Sequence, residues 1–183
     1  MYLIALGANL PSPAGTPRET LEAALGMMPA HGIDVAARSR WYRTPAFPPG
    51  SGPAFVNGAV RATGALAPRE VLDALHVIER ALGRSRDRRW EPRLCDLDLI
   101  AADGDVAPDE ATARRWIGLA PGDRAAAAPP DLVLPHPRLQ ERGFVLRPLA
   151  DVAPDWRHPL LGLSVAEILS DLPAGALAGV EPL

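Results

Sequence analysis

The chain has 183 residues, of which 48% are apolar and 22% charged, a globular composition that excludes a disordered chain and is long enough for a single domain, 1–183, with a substantial core. A formal charge of −3 predicts no bulk attraction to nucleic acid or to an anionic membrane, and the apolar runs are too short to span a bilayer. The N-terminal MYLIALGANL lacks the basic region and cleavage site of a secretory signal, so a cytoplasmic protein is expected.

In chain order, residues 2–6 (YLIAL) form an apolar run that ends at Gly7 and predicts a buried first strand. Thr16, Pro17 and Glu19 are N-cap, first helical residue and capping-box partner of a helix whose Leu21, Ala24, Leu25 and Met28 share a face and which stops near Gly32. From Ile33 the period is two, with Ile33, Val35, Ala37, Ser39 and Trp41 on one side of a strand that breaks at Pro45. AFPPGSGP is a loop by composition, and AFVNGAVRAT is a strand with Phe55 and Asn57 on one face and Val56 and Val60 on the other. Pro68 opens a second helix with a Val71, Leu75, Ile78, Leu82 stripe, ended by Gly83.

An arginine-rich loop follows. All nineteen basic residues of the chain are arginine, and Arg80, Arg84, Arg86, Arg88, Arg89 and Arg93 fall within fourteen positions. A guanidinium grips phosphate in a two-point fork, although a solvated helix end gives the same pattern. CDLDLI then reads as a strand with Cys95, Leu97 and Leu99 inward and Asp96 and Asp98 together on the other face. Residues 101–130 are poor in pattern and rich in Ala, Pro and Gly, and are expected to be a long loop or insertion. A short strand is expected near LVLPH, and Ser164 with Glu167 caps a final helix.

Strand, helix, strand, strand, helix, strand is the split βαβ order of an α+β ferredoxin-like sandwich, a mainly antiparallel sheet with helices on one face and the active site on the other. The single cysteine, Cys95, excludes an internal disulfide and a thiolate zinc site, and His31, His76, His136 and His158 have no zinc-ligand spacing. Two carboxylates at i and i+2 on one strand face repel each other unless solvated or neutralised by a cation; magnesium accepts one or two carboxylates together with substrate phosphates. Neighbouring arginines favour the second reading, a clamp for phosphoryl transfer.

The set ALGANL, SRWYRTPAF, FVNGAV, RWEPRLCDLDLI and LPHPRLQERGFVLRPLADVAP resembles the 6-hydroxymethyl-7,8-dihydropterin pyrophosphokinase family from residue 3 to about 169, interrupted at 102–130. The resemblance implies a magnesium- and ATP-dependent, monomeric enzyme of folate biosynthesis that moves pyrophosphate from ATP to a pterin alcohol and binds neither nucleic acid nor membrane. It implies that Asp96 and Asp98 hold two magnesium ions and that Arg84 and Arg93 neutralise the α- and β-phosphates. For the pterin it implies Asn57 at the ring edge, Phe55 and Phe144 as a sandwich, Thr44, Pro45 and Phe47 as wall, and Trp90 on a closing loop. For ATP it implies Glu79, Leu99, His136 and Arg142, although Glu79 also suits an exposed helical position. Four departures stand out: Asp131 replaces a basic residue of some members, His76 stands where glutamine is common, the arginine loop looks one residue shorter, and 102–130 is longer than usual. Arg114, Arg115 and Trp116 in that insertion are candidates for a substitute basic contact, although a disordered insertion is the favoured reading. Two rivals remain, a nucleotidyltransferase using the same carboxylates and a non-catalytic ferredoxin-like binding module such as an RNA binder.

Overall fold

The computed structural model describes residues 1–46, 52–84, 94–120, 123 and 129–183. Six strands form one sheet: β1 (Tyr2–Ala8), β2 (Asp34–Arg38), β3 (Tyr42–Thr44), β4 (Phe55–Thr63), β5 (Asp96–Ala102) and β6 (Glu181–Pro182). Their order is β5-β1-β4-β3-β6, with β2 also paired to β4, and every ladder is antiparallel. Among the described residues the sheet is accompanied by the α-helices α1 (Pro17–Met27), α2 (Pro68–Ala81), α3 (Glu110–Ile117), α4 (Gly143–Val152) and α5 (Val165–Ser170).

The helix signals act as expected. Thr16 and Glu19 form a reciprocal capping box, Pro17 opens α1, and a 3₁₀ turn at Met28–His31 ends on Gly32 in the left-handed region, where a side chain is disfavoured. Val71, Leu75, Ile78 and Leu82 of α2 are buried against Tyr2, Ile4 and Leu6 of β1 and Leu97 and Leu99 of β5. Cys95 lies in the same core, and burial pushes its thiol up to about 12, so it packs as a small hydrophobe.

The single strand expected over 33–44 is two. Ser39 interrupts it: its N–H bonds to Ala59 O and its Oγ accepts from Ala59 N, at 2.9 Å each, so a side chain substitutes for one rung. No strand forms near LVLPH; Leu134 makes an isolated bridge to Ala107, and His136 N donates to Ile100 O at 2.8 Å. The sixth strand comes instead from the C-terminal segment, which pairs with β3. The structureless stretch expected at 101–130 carries α3, capped by Asp109, whose Oδ1 accepts from Thr112 N.

Helices lie on both faces, which corrects the expectation of one covered face. α4 packs its Val145, Leu146, Leu149 and Val152 on Leu3, Ala5, Ala59 and Ile100. Asp151 of α4 anchors it by accepting from Tyr42 Oη at 2.8 Å and from Arg40. The second face is therefore divided into an apolar half under α4 and a polar half beyond its N-terminus.

Candidate active site

Register builds the polar half. Gly7 of β1 stands opposite Asn57 of β4 on one side and Asp96 of β5 on the other, while Asn57 is opposite Tyr42 of β3. Directly opposed residues share a face, so Asp96, Gly7, Asn57 and Tyr42 form one row, and Asp98 stands opposite Ala5 in the next. Two interstrand spacings separate Asp96 from Asn57, about 10 Å. Between them Gly7 leaves the floor bare, since a Cβ there would lie 2.8 Å from Asn57 Oδ1.

Thr44 pairs with Phe55 on the same face, and Asn57 Nδ2 donates to Thr44 Oγ1 at 2.7 Å. That bond holds the nearly buried amide in one orientation beside the partly exposed Phe55 ring. Phe144, in the first turn of α4, is 40% exposed with the Arg142 guanidinium 5.8 Å from its ring centre. Pro45 lines a different cavity, of about 380 Å³, between Arg43, Gly52 and Gly179, which holds neither aspartate.

At the acidic end Arg84 Nη1 donates to Asp96 Oδ1 at 2.7 Å and also to Glu79 Oε1. Loss of solvent opposes the Arg84 charge, but Asp96 and Glu79 outweigh it and hold the guanidinium above its ordinary value. Glu79 is not an exposed helical glutamate: it is 1% exposed and also accepts from Leu97 N at 2.8 Å, tying α2 to β5 directly beneath the aspartates. Asp98 is the more open carboxylate, with Arg142 Nη1 3.6 Å away.

Because β5 is the sheet edge, its outer side opens into a cavity of about 300 Å³ that reaches both faces. Asp98, His136 and Arg142 line it together with Leu72, Leu99 and Val133. Leu99 belongs to the core on the α2 side and contributes a wall. His136 Nδ1 accepts from Arg138 N at 3.1 Å, and loss of solvent, then Arg142 and Arg138, push its imidazole down to about 3. It is neutral at ordinary pH, with the proton on Nε2. Arg114, a candidate basic contact, is turned elsewhere, to Glu110 Oε1 and Leu160 O. Phe47, Trp90 and Arg93 lie outside the described residues.

The two aspartates suit a hard cation. Among the described residues no group of three or more His, Cys, Asp or Glu side chains could hold a metal ion, and a pair of carboxylates suits magnesium, which is completed by water and phosphate. Gly7 is the participant that sequence reasoning missed; a glycine inside an apolar strand run was the available signal.

The family model described as 7,8-dihydro-6-hydroxymethylpterin-pyrophosphokinase matches residues 3–154. The chain belongs to that family. Among its relatives, the 2-amino-4-hydroxy-6-hydroxymethyldihydropteridine pyrophosphokinases of Synechocystis and Pseudomonas aeruginosa are 34% and 37% identical to it. The alignments cover 98% of this chain in both cases, and 80% and 94% of those proteins. The fold agrees with the crystal structure of wild-type Plasmodium falciparum HPPK-DHPS with SDX-DHP, at a TM-score of 0.64 and 14% identity over 92% of this chain and 43% of that one. Within this pyrophosphokinase no described helix is long and apolar enough to cross a membrane.

Proposed function

We propose that the chain transfers pyrophosphate from ATP to the hydroxymethyl group of 6-hydroxymethyl-7,8-dihydropterin, releasing AMP, in the cytoplasm. Family membership supports the reaction, and one observation carries the assignment of residues: the row Asp96, Gly7, Asn57 sets a carboxylate about 10 Å from a fixed amide on one open face. In this reading the Asn57 amide recognises the pterin edge, Phe55 and Phe144 stack on its ring, and Thr44 keeps the amide from rotating.

The hydroxymethyl oxygen attacks the β-phosphorus in line, the bond from that phosphorus to the α–β bridging oxygen breaks, AMP leaves with that oxygen and the electron pair, and the hydroxyl proton passes to solvent. Such a transfer depends on positioning and charge stabilisation more than on covalent help. Asp96 and Asp98 would hold two magnesium ions, which supply neutralisation of phosphate charge when bound. Arg84 and Arg142 already flank these carboxylates and become available to phosphate oxygens as the carboxylates take other partners. Arg93, Phe47 and Trp90 complete the phosphate and pterin contacts in the same reading, and neutral His136 offers Nε2–H as a donor at the cavity.

Incubation with ATP, magnesium and the reduced pterin alcohol, followed by mass analysis, is expected to yield the pterin diphosphate and AMP in equal amounts. Release of inorganic pyrophosphate with a nucleotidyl-pterin product would instead establish a nucleotidyltransferase, and no product at all would defeat the proposal.

A further inference from the structure

Trp116 and Pro129 are the residues of the inserted segment that reach the site among those described. Trp116 lies in the last turn of α3, partly buried, and lines the β5-edge cavity with Asp98, Arg142, Leu72, Leu99 and Val133. The lining is of two chemical kinds: Asp98, His136, Arg138 and Arg142 suit phosphate and its counter-ions, while Leu72, Leu99, Leu132 and Val133 offer nothing to an anion. An apolar slot with one aromatic wall, continuous with an anion-binding part, suits a planar heteroaromatic carrying phosphates.

Trp116 is not needed as the anchor of α3. Ala113, one turn earlier, is fully buried, Arg114 is bonded to Leu160 O, and the bridge between Ala107 and Leu134 ties the segment to the cavity's rear wall. Trp41 and Trp156 each donate their indole N–H within the protein, to Glu22 and to Asp103 O. Among the described residues Trp116 makes no such bond.

We infer that Trp116 is a nucleotide-positioning residue whose indole stacks on the base of ATP, so that the insertion supplies an aromatic wall rather than a basic contact. The inference rests on the ATP reading of the site. It is compatible with Asp131, which also lines this cavity and adds a negative charge to it, because a neutral base held by stacking and apolar contact needs no cation.

The test compares the whole protein with Trp116→Leu, which keeps apolar bulk, and Trp116→Phe, which keeps an aromatic face. Calorimetry with magnesium and a non-hydrolysable ATP analogue is set against magnesium tripolyphosphate, which has no base. Trp116→Leu is expected to bind the analogue about tenfold more weakly, within the range of base–aromatic stacking, with tripolyphosphate affinity unchanged and Trp116→Phe near wild type. Unchanged analogue affinity in Trp116→Leu overturns the inference while leaving the ATP site standing. So does an equal loss for tripolyphosphate, which would mean that the side chain only props the cavity. Failure of the wild-type protein to bind the analogue would remove both readings.

Discussion

Gly7 shows how much a missing side chain can determine. It adopts ordinary extended backbone in mid-sheet, so its value is space rather than conformational freedom. Alanine there would press on Asn57 Oδ1, the end of a movable side chain, so relief comes by rotating the amide and breaking its bond to Thr44. One neutral hydrogen bond is worth about 1 kcal/mol, which leaves a folded protein. Gly7→Ala is therefore expected to weaken binding of the pterin by about tenfold while a non-hydrolysable ATP analogue binds as before. Calorimetry with each ligand separates the two, and undiminished pterin affinity would show that the amide does not read the ring. The alternation of AFVNGAVRAT and CDLDLI is enough to bring Phe55, Asn57, Asp96 and Asp98 to defined faces. Alternation does not reveal which strands meet or that Gly7 lies between the two polar groups, because register depends on contacts remote in sequence.

At the scale of elements, the loop before α5 is held by His158. The side chain is buried, and its Nδ1 accepts from Leu160 N and Leu161 N at 3.2 and 3.3 Å. Loss of solvent, with Arg114 adding repulsion, pushes its pKa down to about 4 from an unfolded value near 6.5. The folded imidazole is neutral while the unfolded one takes up a proton between these values, so its contribution is complete above about pH 6.5 and is lost as pH falls toward 4. His158→Asn retains an acceptor that does not titrate there. Urea unfolding at pH 7, 6 and 5 is expected to show wild type losing stability more steeply than His158→Asn, and parallel curves would exclude the switch. Elements differ in legibility for physical reasons. Capping boxes at Thr16 and Ser164 announce α1 and α5 locally. α4 is obscured by Pro148 inside it, and α3 by a short amphipathic face set in an Ala- and Pro-rich stretch, although Asp109 with Thr112 was a usable cap signal.

Across the whole molecule, the apolar packing under α4 and the proposed chemistry occupy different halves of the same sheet face. Leu3, Ala5, Ala59 and Ile100 are sealed under α4, whereas Asp96, Asp98, Asn57 and Thr44 belong to the polar half of that face. The division implies a double dissociation. Leu149 is fully buried in the sealed half, and Leu149→Ala should cost about 2–5 kcal/mol of stability through lost contacts and a cavity. Well below its lowered melting temperature it should keep turnover within about twofold, since Leu149 neither lines the β5-edge cavity nor belongs to the polar row. Asp98→Asn should do the opposite. It removes one of two neighbouring like charges, so melting is expected to stay the same or rise slightly, while turnover falls at least about 100-fold, equivalent to about 2.7 kcal/mol of transition-state stabilisation. Melting curves and AMP release on the same two preparations make the comparison. If Asp98→Asn instead lowered stability as much as Leu149→Ala, the carboxylate pair would be part of the scaffold, and the open half of the face would lose its claim to the chemistry.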